Sequence, residues 1–194
     1  MQRVHQDDLV GYLQEQGGVF YNEPPRLAHG GHLIMSWDIA LSEEEKGDYS
    51  ACVVLLQRKD VFYVLEVIRG RLRFDELKHT ILEVKRRYGM GTLLVEDAPI
   101  SRGLIQSLEE NSISVTPYTP DADKRSRLIA QCDRFAAGSV RLPIRAPWLE
   151  EFVAELLAFP GGRHDDQVDA LTQGMAWGRQ IFSQRARFDR RAIL

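Results

Sequence analysis

Three apolar segments of strand length stand in a row near the start of this sequence, and helices alternate with strands after them. The three segments are HLIMSWDIA (32 to 40), SACVVLLQR (50 to 58) and VFYVLEVIRG (61 to 70), and short polar turns separate them. Short turns between consecutive strands favour antiparallel pairing. We therefore expect a sheet that begins with three antiparallel strands.

The alternation that follows predicts parallel strands. Apolar residues recur at helical spacing from Phe74 to Tyr88, and Gly89 supplies a stop signal. GTLLVEDA (91 to 98) and ISVTPYTP (113 to 120) have the character of strands and enclose a helical segment at 101 to 111. Because a helix between two strands carries the chain back across a sheet, these strands should be parallel. The predicted fold class is α/β, a mixed sheet flanked by helices.

The last third of the chain is predicted to be mainly helical. We expect helices at 124 to 138, at 147 to 159 with Pro147 in its first position, and from about Asp165 onward, with a brief extended piece at 139 to 143. Glycines and prolines make much of the N-terminal segment irregular. We divide the chain into a linker or adapter (1 to 30), a folded domain (31 to 182) and a basic tail (183 to 194).

Composition is that of an ordinary globular protein. The chain has 194 residues, 44% of them hydrophobic, which is enough for one domain with a real core. It shows neither a signal peptide nor an apolar run long enough to cross a bilayer, so we expect a cytoplasmic protein without membrane contact. Cys52 and Cys132 form no metal-binding pattern, and we interpret both as reduced thiols in or near the core.

Charge does not by itself indicate a nucleic-acid partner. The formal net charge is −3, so any DNA-binding surface must be local. Each local cluster of basic residues is also typical of a solvated face. The candidate clusters are Arg69, Arg71 and Arg73; Lys85, Arg86 and Arg87; and Lys124, Arg125 and Arg127.

Acidic residues stand at the ends of two predicted strands. Asp38 interrupts the apolar run SWDIA, and Glu96 and Asp97 follow the buried segment LLV. A carboxylate in an apolar strand is costly unless a partner or a cation compensates it. The carboxyl end of an open α/β sheet is also the usual place for a site. Asp38 and Glu96 are therefore candidate site residues.

A third acidic group opens the last predicted helix. In GGRHDDQVDALTQGMA, Asp165 and Asp166 lie four and three residues before Asp169, which brings the carboxylates near one helix face. Such a cluster is destabilised by repulsion, although acids in a first turn interact favourably with the helix dipole. Helix capping is thus the alternative explanation of this cluster.

Carboxylates from three separate elements suit hard divalent ions. Mg²⁺ and Mn²⁺ take oxygen ligands, and a nuclease that uses two ions needs several converging carboxylates. The histidines are scattered, and the sequence has neither a nucleophile elbow nor a phosphate-binding loop. We therefore predict a nuclease with two Mg²⁺ or Mn²⁺ ions and the candidate ligands Asp38, Glu96, Asp165, Asp166 and Asp169.

The order of these acids resembles the ribonuclease H-like pattern, which has one acid on the first of three antiparallel strands, one on the next parallel strand and a cluster on a late helix. SWDIA, LLVEDAP and HDDQVDAL resemble the nuclease motifs of phage terminase large subunits over about residues 30 to 180. The resemblance implies a ribonuclease H-like sheet and an endonuclease that cuts concatemeric double-stranded viral DNA during packaging. It also implies that Asp38 contacts both ions, Glu96 contacts one, and Asp166, or else Asp169, completes the site.

The same resemblance suggests further roles. Asp48 is often acidic in such proteins and is a candidate for a position beside the ligands, although an exposed turn acid is an equal interpretation. Lys124, with Arg125 and Arg127, is similar to a basic position that faces DNA. Apart from the resemblance, Asp97 and His164 are further candidates for positions beside the ligands. Terminases carry an ATPase domain before the nuclease, and this sequence has no phosphate loop for one. We therefore expect a fragment or a split gene product, with the ATPase domain, the small terminase and the portal as partners.

Two alternatives remain open on the sequence. A Holliday-junction resolvase or transposase-like nuclease of the same fold would share the acids but act on other DNA structures. A catalytically silent module that docks a packaging partner would use the acids only to cap helices.

Overall fold

The computed structural model describes residues 19–25, 31–40, 48–120, 134–135 and 137–191, with side chains described as far as residue 183. The strands of this part of the chain are β1 (Val19–Tyr21), β2 (His32–Asp38), β3 (Ser50–Arg58), β4 (Val61–Gly70), β5 (Thr92–Glu96), β6 (Thr116–Tyr118) and β7 (Val140–Pro143). Its longer helices are α1 (Phe74–Tyr88), α2 (Arg102–Glu110), α3 (Leu149–Ala158) and α4 (Asp166–Arg191).

All seven of these strands join one mixed sheet in the order β1-β7-β4-β3-β2-β5-β6. The pairs β2–β3 and β3–β4 are antiparallel, as expected. β5, β6, β7 and β1 are attached in parallel. The predicted mixed α/β sheet with a three-stranded antiparallel start is confirmed.

Helices cover both faces of the sheet and create two apolar layers. On one face, Ile34, Ala51 and Leu94 pack with residues of α3 and α4. On the other face, Met35 and Cys52 pack with residues of α1 and α2. β3 lies between the layers and is buried on both faces from its first residue to Gln57, which explains its continuous apolar sequence. None of the helices in the described part of the chain combines the length and apolar character needed to span a membrane.

The N-terminal prediction needs a correction. Irregular structure was expected through residue 30, but Val19–Tyr21 forms β1 and pairs with β7, and the Tyr21 hydroxyl donates to the Val64 carbonyl at 2.6 Å. Three residues are too few to show a periodic pattern, and a parallel partner more than a hundred residues away leaves no local signal. The proposed domain limits stay a prediction.

Two helix limits predicted for the C-terminal half are refined, and the predictions for the two cysteines have different outcomes. α3 begins at Leu149, so Pro147 precedes the helix rather than starting it. α4 continues to Arg191, so residue 183, where the basic tail was placed, lies inside this helix. Cys52 is fully buried, as expected. The predicted helix at 124 to 138 and Cys132 fall almost entirely outside the described residues.

Candidate active site

Strand register places three candidate positions in one row across the sheet. Asp38 pairs with Ala51, and Ala51 pairs with Arg69. Directly opposed residues in antiparallel strands project from the same face. Ala51 belongs to the apolar layer under α3 and α4, so Asp38 and Arg69 project toward these helices as well.

Glu96 extends this row on the other side of Asp38. β5 runs parallel to β2, and Trp37 pairs with Val95. The next residue of β2 is Asp38 and the next residue of β5 is Glu96, so these two acids are neighbours. Leu94 belongs to the layer under α4, and alternation puts Glu96 on that same face. The carboxylates of Asp38 and Glu96 thus emerge together at the carboxyl ends of neighbouring parallel strands.

Hydrogen bonds fix the chain where it leaves these strands. The buried Ser50 hydroxyl donates to the carbonyl of Ala40 at 2.8 Å and accepts its N–H at 3.1 Å. The Ser101 hydroxyl donates to the Glu96 carbonyl at 2.5 Å. Both acids therefore stand where hydrogen bonds hold the backbone at the strand ends.

α4 runs antiparallel to β2 and carries the aspartate cluster toward Asp38. Gln173 Nε2 lies 3.2 Å from both the Ser36 hydroxyl and the Trp37 carbonyl. Asp169, one turn earlier, therefore lies near the level of Asp38, and its side chain is buried, with the residue 2% exposed. Of the three aspartates, Asp169 is the most deeply packed.

Asp165 and Asp166 form the start of α4. The Asp169 N–H donates to the Asp165 carbonyl at 2.9 Å, which makes Asp165 the N-cap. Asp166 Oδ2 accepts from Arg69 Nη2 at 3.2 Å and lies 4.0 Å from His164 Nδ1. The end of β4 is thereby connected to the acidic start of α4.

Arg69 is a central residue that sequence reasoning assigned to a solvated basic cluster. Its side chain is 11% exposed and contacts Glu151 and Asp166, with Glu155 at 3.8 Å. Burial lowers the pKa of Arg69, but the hydrogen bonds to Glu151 and Asp166 outweigh this effect and the pKa is raised from its ordinary value. The guanidinium is therefore a permanent positive charge beside the acids, and Arg69 does not belong to a solvated face.

Glu155 is a second residue that sequence reasoning missed. It lies on α3, and its carboxylate accepts from the backbone N–H groups of Gln167 at 2.7 Å and Val168 at 3.3 Å, and from the Gln167 amide at 2.6 Å. Those N–H groups belong to the first turn of α4, which has no intrahelical acceptors for them. Glu155 therefore caps the helix that carries the aspartate cluster. The signal available in sequence was a glutamate on the apolar face of a predicted helix.

The three residues predicted beside the ligands have different positions. His164 contacts Tyr49 edge-to-face, with ring centroids 5.1 Å apart, and is close to Asp166. Asp48 is exposed next to Tyr49. Asp97 is exposed and forms an ion pair with Arg102 at 3.4 Å. His164 is thus the member of this set that directly adjoins a candidate ligand.

The candidate ligands share one edge and one face, but their side chains do not form a closed ligand set. Among the described residues, no group of three histidine, cysteine, aspartate or glutamate side chains is arranged so that it could hold a metal ion. Side-chain rotation would be needed for several carboxylates to meet one ion. The predicted DNA-binding residues Lys124, Arg125 and Arg127 lie outside the described residues.

Solved structures similar to this chain include terminase nucleases. The large terminase nuclease of the thermophilic phage G20c, in a structure with bound magnesium, is 14% identical, with a TM-score of 0.63 over 87% of this chain and 96% of that one. The same nuclease with bound zinc is 15% identical, with a TM-score of 0.63 over 87% and 97% of the two chains. The large terminase of a second thermophilic bacteriophage, in complex with ADP, is 12% identical, with a TM-score of 0.60 over 81% of this chain and 42% of that one. At these identities the similarity establishes the fold.

The family is established by sequence. No curated protein matches the chain. The family described as the terminase RNaseH-like domain matches residues 35–176, a range that begins within β2 and ends within α4 and so includes Asp38, Glu96 and the aspartate cluster. This chain therefore belongs to the terminase family, as a ribonuclease H-like nuclease domain.

Proposed function

We propose that this chain is a metal-dependent endonuclease that cuts concatemeric double-stranded viral DNA during genome packaging. The observation that carries the proposal is the register that sets Asp38 and Glu96 side by side under the acidic start of α4. Family membership supports the same assignment. Capping alone would account for acids at a helix start, but not for acids at the ends of two adjacent strands on the same face.

The donor set fits Mg²⁺ or Mn²⁺ in chemical kind, and the candidate ligands share one edge and one face of the sheet. Carboxylate oxygens are the ligands that these hard ions prefer. Asp38, Glu96 and the cluster of Asp165, Asp166 and Asp169 would hold the metal, and we propose that two ions would bind per site. When bound, such ions lower the pKa of an attacking water and stabilise the leaving oxygen of the phosphodiester. The structures of the G20c nuclease with bound magnesium, zinc and cobalt support the use of a divalent ion by this fold.

The protein's own residues hold the carboxylates in place. Gln173 anchors α4 against the end of β2, and Glu155 caps the first turn of α4. Ser50 and Ser101 fix the chain after Asp38 and Glu96. Catalysis then depends on prepositioned charge rather than on a covalent nucleophile.

We propose double-stranded DNA as the substrate and place the reaction in the cytoplasm of the infected cell. Lys124, Arg125 and Arg127 are proposed to contact the phosphate backbone, and the proposed partners are the terminase ATPase domain, the small terminase and the portal. In the large terminase of the second thermophilic bacteriophage, the matched part is 42% of the chain, so this fold also occurs within a longer terminase.

Plasmid cleavage tests the function. We expect Mg²⁺ or Mn²⁺ to support nicking and cutting of duplex DNA with little sequence preference, and Asp38→Ala, Glu96→Ala and Asp166→Ala each to reduce cleavage to background, because each removes a ligand. Glu109→Ala, which removes an exposed acid on α2, is the matched control and should cut like wild type. Wild-type-like cleavage in any two of the three site variants would overturn the assignment.

The substrate separates the nuclease hypotheses. A resolvase would cut a synthetic four-way junction far faster than a linear duplex of the same sequence, whereas we expect comparable rates on both. A silent docking module would leave both substrates intact with either metal.

A further inference from the structure

Arg69 stands in the row of site residues but is withdrawn from solvent. It lies opposite Ala51, which lies opposite Asp38, and all three project toward α4. Ala51 has only a methyl group, so little side-chain volume separates Arg69 from Asp38 within this row. The Arg69 side chain is 11% exposed. An arginine used mainly to attract DNA would be expected in open solvent.

Three groups hold the Arg69 guanidinium from outside the acidic cluster. Its Nη1 donates to Glu151 at 2.5 Å, and its Nε lies 3.8 Å from Glu155. Tyr49 presents its ring to the guanidinium, with 3.7 Å between the Arg69 Cζ atom and the ring centroid. An arginine fixed in this way is a rigid, planar donor whose remaining N–H groups have a set direction.

The remaining contact is with the cluster itself. Arg69 Nη2 donates to Asp166 Oδ2 at 3.2 Å. Within the described part of the chain, both polar contacts of the Asp166 carboxylate, with Arg69 and with His164, fall on Oδ2. Oδ1 therefore stays available to another partner while Oδ2 is held.

We propose that Arg69 is a positioning residue that orients the Asp166 carboxylate for a divalent ion. This inference rests on the proposed function and deepens it, because it assigns a role to a residue outside the ligand set. A carboxylate that is free to rotate must be ordered when an ion binds, whereas one held by an arginine fork is ordered in advance. Glu151 and Tyr49 contribute indirectly by fixing Arg69.

Manganese binding by the full chain tests this role without reference to activity. Titration calorimetry with Mn²⁺ alone should show Arg69→Gln weakened by about 10- to 100-fold relative to wild type, the usual effect of removing a group that orients a ligand. Arg87→Gln is the matched control. This substitution removes the same charge and also breaks an arginine–glutamate ion pair, here between Arg87 on α1 and Glu66 on β4. α1, however, packs on the face of the sheet opposite to α4 and the candidate ligands. We expect the Mn²⁺ affinity of Arg87→Gln to equal that of wild type.

Cleavage supplies the second readout. If Arg69 acts by orienting a ligand, raising the Mn²⁺ concentration should restore cleavage by Arg69→Gln toward the wild-type rate. A cleavage defect that saturating Mn²⁺ does not relieve would overturn the inference. If Arg69→Gln fails to give a wild-type circular dichroism spectrum, Arg69→Lys replaces it in both measurements, since lysine keeps the charge but loses the planar fork.

The possible outcomes distinguish failure of the Arg69 positioning role from failure of the proposed nuclease function. Unchanged or tighter Mn²⁺ binding in a folded Arg69 variant overturns the positioning role and leaves the nuclease assignment intact. Failure of the wild-type chain to bind Mn²⁺ or to cut DNA overturns both.

Discussion

Glu155 illustrates, at the scale of single residues, how a buried carboxylate supports the elements of a candidate site that it does not enter. Its side chain is 6% exposed and satisfies the N–H groups of Gln167 and Val168. Removing a buried acceptor leaves these donors unpaired and also leaves Arg69 with one fewer counter-charge. Glu155 and Arg69 together therefore tie α3, α4 and β4 to one another.

We expect Glu155→Ala to lower the free energy of unfolding by about 3 kcal/mol, since buried donors and a buried cation lose their partner. Glu150→Ala, in the exposed first turn of the same helix, should cost only a few tenths of a kcal/mol. Urea denaturation of both variants provides the measurement. Equal stabilities would show that Glu155 does not cap α4 in solution.

At the scale of elements, the approach of α4 to the sheet determines how near the aspartate cluster comes to Asp38. Glycine allows this approach at Gly174, where an added Cβ would lie 2.9 Å from Leu55 Cδ1 and 3.0 Å from Ser36 Cβ. The Ser36 Cβ atom is attached directly to the β2 backbone and cannot move away easily. A side chain at position 174 would therefore push α4 outward.

We expect Gly174→Ala to destabilise the protein by about 1 to 3 kcal/mol through overpacking, although alanine is the better helix former. Gly103→Ala on α2 is the control, because an added Cβ there meets nothing within 4 Å. That change should stabilise the protein by about 0.5 to 1 kcal/mol. Thermal melting of the two variants should shift in opposite directions, and a stabilised Gly174→Ala would contradict the close packing of α4 on β2.

At the scale of the whole molecule, the sheet is enclosed by helices on both faces, and β3 is its most protected strand. Cys52 lies on β3 and is 0% exposed. Burial raises the pKa of the Cys52 thiol well above its ordinary value, and the nearby charge of Glu66 raises it further. The reactive thiolate is thus disfavoured at neutral pH, and reagents reach the sulfur only when the sheet opens.

Thiol labelling can test this protection. In a Cys132→Ser background, Cys52 should react with iodoacetamide at neutral pH only as fast as the protein unfolds, and labelling should rise with the urea unfolding transition. At a pH of about 9, near the ordinary thiol pKa, much of the thiol in the unfolded protein is in the reactive thiolate form. The pKa of Cys52 in the folded protein is raised, so its thiol stays protonated at this pH. Raising the pH to about 9 should therefore accelerate labelling of the unfolded protein far more than labelling of the native protein. Rapid labelling of Cys52 under native conditions would contradict the enclosed sheet.

Much of the sheet and several acids could be predicted from local patterns. The alternation and length of apolar runs predicted β2 to β5 and α1, because burial of one face leaves a periodic trace in sequence. Asp38 and Glu96 were identifiable as candidate site residues because each ends an apolar strand. The three-residue strand β1 was missed, because so short a segment carries no periodicity.

Which charges meet one another was decided by the tertiary structure. Arg69 looked like one of several basic surface residues, yet it pairs with Asp166, 97 positions later in the chain. Glu155 looked like an ordinary helix acid, yet it caps a different helix. The sequence by itself determined the longer elements, their order and the presence of acids at their ends, since these depend on neighbouring residues. Strand register and helix packing determined that Arg69 pairs with Asp166 and that Asp169 lies near Asp38. Such contacts join segments that are far apart in the sequence, so neighbouring residues give no signal of them.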